Sequence, residues 1–187
     1  MDLRLYKSKL EEAGVEFARG LTDSQVARAE AAYGFSFPPD LEEFLRYALP
    51  VSKRWPDWRE PDDSFIREMM DWPLEGMQFD IERSGFWHSD WGPKPASLEE
   101  AFAVARRKVG EAPKLIPLFG HRFLPDRPRE AGNPVFSVYQ TDIIYYGTNL
   151  ANYFANEFHL DIGAPRCRPE EPIKRIEFWS AFAEEEV

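Results

Sequence analysis

The chain has 187 residues, 43% of them hydrophobic and 15% aromatic, which is enough for one domain with a sizeable core and too much for low-complexity disorder. Its net charge of −10 argues against a protein that grips nucleic-acid phosphates, and it suits a basic protein partner as well as simple solubility. A single cysteine, Cys167, excludes an internal disulfide, and no stretch approaches the roughly 20 apolar residues that span a bilayer.

In chain order, MDLRLYKSKLEEAG places Leu3, Tyr6, Leu10 and Ala13 at helical spacing and lacks the apolar run of a signal peptide, so the expected location is the cytoplasm. Thr22 and Gln25 form a capping-box start for a helix carrying Val26, Ala29, Ala32 and Tyr33, with Gly34 at its end. Pro38 and Pro39 forbid continuation. Asp40 and Glu43 then read as a second capping box, with Leu41, Phe44, Leu45, Ala48 and Leu49 on one face.

Val51 to Asp63 is too rich in Pro and Asp for a helix. Ser64 is expected to cap a helix with Phe65, Ile66, Met69 and Met70 inward, stopped near Pro73 and Gly76. The alternation from Met77 through Phe79 and Ile81 predicts a half-buried strand. Ser97 and Glu100 open the clearest helix, striped by Leu98, Ala101, Phe102, Ala105 and Val109 and ended by Gly110, with Arg106, Arg107 and Lys108 complementing its C-terminus.

Lys114 to Phe119 and Val135 to Tyr139 predict strands, and the Pro- and Gly-rich Gly120 to Pro134 between them an exposed loop. Ile143 to Tyr146 is extended, with Ile143 and Ile144 in the core. Thr148 or Asn149 caps a helix bearing Leu150, Tyr153, Phe154 and Phe158, and a last helix follows Pro172 with Ile173, Ile176, Trp179 and Phe182. Helices first, then strands separated by helices, predict a single α+β domain over residues 1–187 with a mainly antiparallel sheet.

The capped helix, the Tyr33-Gly34-Phe35 turn and FPPDLEEFL (Phe37 to Leu45) together resemble the N-terminal signature of the SUKH superfamily, which includes fungal cell-wall-synthesis regulators and bacterial toxin-immunity proteins. The cluster from Trp55 to Arg59, the segment LIPLFG and VYQTDIIYYG with its following helix agree with that pattern, from about residue 20 to about residue 160. The resemblance implies a non-enzymatic α+β binding module without a cofactor. Its expected partner is a protein, such as a basic toxin or nuclease domain that the module neutralises. Its fungal members imply a second reading, a regulatory scaffold for cellular proteins. The Gly120 to Pro134 segment and the C-terminal helix are additions to the minimal pattern.

Two aromatic–acid clusters are the strongest candidate contact residues: Trp55, Asp57, Trp58 and Arg59, and Trp87, Asp90 and Trp91. Tryptophan and arginine are enriched at interface hot spots, and paired tryptophans could also stack a glycan or other planar ligand. Equally, they could close the core, with Asp57 held by Arg59 or Arg54. Asp57 and Asp90 would make a glycosidase pair only if folding brought them to one pocket. Tyr139, Gln140, Asp142, Tyr145 and Tyr146 form a further polar-aromatic group, of which Tyr139 and Tyr146 join the candidate partner-binding set.

Catalytic and metal signatures are not expected. His88, His121 and His159 lack zinc-ligand spacing and read as surface histidines; neither a nucleophile elbow nor a phosphate loop is present. Cys167, between Arg166 and Arg168, has a setting that lowers a thiol pKa, but a catalytic role is not expected of it.

Overall fold

Local signals set most of the helices. In a computed structural model, which describes residues 1–60, 63–162 and 172–184, Asp2 caps α1 (Leu3–Glu12) by accepting a bond from the Leu5 amide, 3.0 Å away. Thr22 and Gln25 form the expected capping box of α2 (Asp23–Tyr33), and Gly34 ends it at φ 65°. Helix α3 (Pro39–Tyr47) follows. Its expected Asp40–Glu43 capping box does not form: Pro38 precedes the helix without a side-chain cap, and Asp40 instead accepts the amides of Leu41 and Gly132 at 3.1 and 3.0 Å. Two three-residue strands, β1 (Phe17–Arg19) and β2 (Ala48–Pro50), pair antiparallel, so Ala48 and Leu49 leave the helix they were expected to continue.

The largest departure is α4 (Ser64–Arg83), 20 residues long and capped by Asp63 rather than Ser64. Pro73 and Gly76 do not stop it, and Met77 to Glu82 is helix, not strand. The buried positions explain why: Ile66, Met69, Pro73, Met77 and Ile81 recur every three or four residues, a helical period that the local alternation of Met77, Phe79 and Ile81 masks. Helix α5 (Leu98–Glu111) is capped by Ser97 as expected; Ala101 and Ala105 are buried, while Leu98 is exposed.

Strands β3 (Leu115–Phe119), β4 (Arg122–Pro125), β5 (Val135–Tyr139) and β6 (Asp142–Gly147) form an antiparallel meander in sequence order. Strand β4 lies inside the segment expected to be an exposed loop. Arg127 to Ala131 are exposed as expected, whereas fully buried Asn133 donates to the Pro125 and Pro128 carbonyls at 3.2 and 2.8 Å. Residue alternation sends Ile116, Leu118 and Leu124 to one core cluster and Leu115, Phe123, Phe136, Val138 and Ile143 to a second. Ile144 points away from both and is 49% exposed, contrary to its expected core place.

The first cluster packs the sheet against α1 to α3 and α6 (Leu150–Glu157), which Asn149 caps. The second packs it against the C-terminal half of α4, α5 and α7 (Trp179–Glu184), which begins later than expected. The α+β class and the antiparallel sheet are therefore as the sequence predicts. Cys167, with Arg166 and Arg168, lies outside the described residues. Among the described residues no helix is long and apolar enough to cross a membrane.

Candidate functional site: an aromatic surface along α4

Three of the nine candidate contact residues, Trp55, Trp58 and Trp91, are buried in the core. Trp58 is 2% exposed, with Tyr33, Phe35 and Phe37 edge-on around its ring at 5.3 to 6.0 Å. Trp55 is buried and stacks on Phe158 at 5.8 Å. Asp57 is claimed by Arg59, whose Nε lies 2.8 Å from Oδ1 while Nη2 bonds Oδ2; this pairing holds the Asp57 carboxyl below the usual carboxylate range. A glycosidase acid needs the opposite shift.

Trp91 is buried in the second cluster, its ring parallel to that of Phe178. Trp87 is half-buried, edge-on to Trp91, and donates to the Gly92 carbonyl at 2.7 Å. Asp90 is exposed, and its amide bonds Nδ1 of His88, which is buried rather than at the surface as expected. The two clusters thus do not form one site, because Trp55 and Trp58 belong to the first core cluster and Trp91 to the second. Tyr146 is half-buried under the Arg122 guanidinium, 3.7 Å above its ring, and Arg122 is paired with Glu157 at 2.9 Å.

Of the nine candidates, Tyr139 alone stands in an exposed aromatic surface, and its other members include Phe65, which is exposed rather than inward as expected. Phe65, Trp72 and Phe79, seven residues apart on α4, are each more than a third exposed, and Tyr139 is 55% exposed beside Trp72, with ring centroids 6.4 Å apart. Aromatic groups exposed together in this way are the kind of surface that binding buries.

Three devices on α4, four residues apart, hold the β5–β6 hairpin against this face. Trp72 Nε1 donates to the Val138 carbonyl at 3.0 Å. Gly76 lets the hairpin turn approach: a Cβ there would lie 2.7 Å from the Cα of Gln140, which itself has a φ of 58°. Buried Asp80 accepts both the amide and the hydroxyl of Thr141, at 3.0 and 2.6 Å.

The Trp72–Tyr139 pair is the shared wall of two clefts. The first, of about 320 Å³, is lined by Phe65, Glu68, Met69, Arg54, Gly120 and His121 as well as the pair. The second, of about 190 Å³, has Glu75, Gly76, Phe79 and Gln140. Arg54 is spent on packing, its guanidinium 4.6 Å over the Phe119 ring. Gly120, at φ 58°, leaves it room, since a Cβ there would lie 2.4 Å from Nη2. Burial, with Arg122 and Arg54 nearby, pulls the His121 imidazole below its usual pKa and favours its neutral form. Among the described residues no cluster of three His, Cys, Asp or Glu could hold a metal ion.

The signal for this surface was in the sequence as the seven-residue spacing of Phe65, Trp72 and Phe79. It is readable only if the helix runs through Pro73 and Gly76, where sequence rules place a stop. No family model matches the chain, and neither a curated protein nor a solved structure does.

Proposed function

We propose that the chain is a non-enzymatic protein-binding module of the SUKH type with an immunity role, binding a cognate toxin domain and neutralising it. The observation that supports a binding role is the aromatic surface of Phe65, Trp72, Phe79 and Tyr139, fixed in place by the α4–hairpin contacts. The net charge of −10 would raise the rate of encounter with a basic partner, and the aromatic groups would then hold the complex. The SUKH-like order of motifs supplies the immunity reading.

The test is co-expression with toxin domains encoded beside this gene. Growth rescue by the native chain, with a stoichiometric complex on purification, is the expected result. A chain that neither binds nor rescues, while an oligosaccharide or nucleotide raises its melting temperature, would overturn the reading in favour of a small-ligand protein.

A further inference from the structure

The α4 surface carries a repeat that bears on what it binds. Phe65, Trp72 and Phe79 recur at heptad spacing, which drifts only about 20° per repeat around a straight helix and so keeps them on one stripe. Glu68 and Glu75 recur with the same interval, one in each cleft. Among the described residues neither carboxylate enters an ion pair or accepts a side-chain hydrogen bond. Among the described residues lining these clefts the one Lys or Arg is Arg54, whose guanidinium lies over Phe119.

Resting on the binding-module reading, we propose that the occupant of this surface is an amphipathic basic helix of the partner protein. Its apolar anchors, seven residues apart, would enter the two clefts on either side of the Trp72–Tyr139 wall, and Lys or Arg beside them would meet Glu68 and Glu75. Equivalent points of the two clefts are one heptad apart along α4, about 10 Å at 1.5 Å per residue, and a docked helix repeats at the same distance.

Two other occupants fit less well. A second copy, packed on this face about a two-fold axis at Trp72, would set Glu68 of one chain towards Glu75 of the other, between molecules that each carry −10. A small ligand would find clefts of about 320 and 190 Å³, at or below the lower end of the roughly 300–1,000 Å³ usual for such pockets.

The probes are two synthetic 21-residue helical peptides with one apolar heptad stripe, flanked by Lys and Arg in one and by Glu in the other. Binding to the full chain is measured by calorimetry at low and high salt. The basic peptide is expected to bind at least about tenfold more tightly than the acidic one, and less tightly as salt rises. Phe65→Ser with Phe79→Ser should weaken it by about tenfold or more. Both residues are exposed, so the variant should stay folded, which its melting temperature checks.

Glu68→Lys with Glu75→Lys should reverse the preference between peptides. Equal binding of both peptides, or binding unchanged in these variants, would overturn the proposal. So would a dimer of the native chain in sedimentation that Phe79→Ser dissolves. If a neighbouring toxin domain is neutralised as well by the Phe65→Ser, Phe79→Ser chain as by the native one, the immunity reading stands and this assignment of the surface fails.

Discussion

Gly76 and Gln140 meet at a distance that only glycine allows: the Cα of Gln140 lies 2.7 Å from where a Cβ on residue 76 would stand. Gly76→Ala sets two effects against each other. Alanine in a helix interior gains about 1 kcal/mol over glycine, while overpacking against backbone costs about 1–3 kcal/mol. The obstacle here is backbone, not the end of a flexible side chain, so the contact should win. The expected outcome is a lower urea midpoint and an altered Tyr139 environment by NMR. A stabilised variant with unchanged spectra would mean that the hairpin is not held where it is described.

Asp80 is another of the three contacts that hold the hairpin on α4. Asp80→Ala leaves the Thr141 amide and hydroxyl without their acceptor and should cost about 2–3 kcal/mol by chemical denaturation. Asp80→Asn keeps a carbonyl oxygen able to accept and should cost clearly less. Equal losses in the two variants would assign the effect to shape alone.

Trp58 and Phe79 separate core from surface. Trp58→Ala empties a fully enclosed aromatic site and should destabilise by about 3–5 kcal/mol. Phe79→Ser, at a side chain 49% exposed, should shift stability by no more than about 0.5 kcal/mol. Loss of binding in the first variant would report unfolding, whereas in the second it would locate a contact. Thermal melts of both variants check the contrast.

Much of the fold is legible in short-range chemistry. The Thr22–Gln25 box, Gly34, Ser97 and Asn149 mark helix ends where the sequence places them, because a cap is decided by residues three or four apart. What escapes reading is decided by distant partners. Pro73 and Gly76 look like a helix stop, yet Pro73 packs in the core and Gly76 makes room for Gln140, 64 positions later in the chain. The burial of Trp55, Trp58 and Trp91 escapes reading for a related reason: composition marks an aromatic as important to packing or to binding, and only the tertiary environment says which. Trp55 and Trp58 are enclosed by residues from α2, the segment after it and the C-terminal part of the chain.

Asp126 and Asp57 should give opposite pH signatures. Burial raises the Asp126 pKa, against the Lys114 amide that bonds it at 2.8 Å and the nearby Arg127. Stability from Asp126 is therefore present below its unfolded pKa of about 3.9 and is lost as pH rises through the higher folded value. Asp126→Asn, which keeps an acceptor for Lys114, should gain in melting temperature relative to the native chain between about pH 4 and pH 7. Asp57, lowered by Arg59, contributes stability present above its unfolded pKa and lost as pH falls through the folded one. Asp57→Asn should thus be least stable, relative to the native chain, at neutral pH, by a small margin because solvent reaches about a third of each partner and screens the pair. Melting curves from about pH 2 to about pH 7 give both signs, the Asp57 change falling below its unfolded pKa of about 3.9 and the Asp126 change above its own.

The most direct test of the α4 surface as the docking face is a paired capture from native cells, read by quantitative mass spectrometry. The baits are the native chain and the Phe65→Ser, Phe79→Ser chain, matched in melting temperature. The account predicts one stoichiometric partner on the native bait, depleted about tenfold or more on the variant. Equal recovery of that partner on both baits would contradict it.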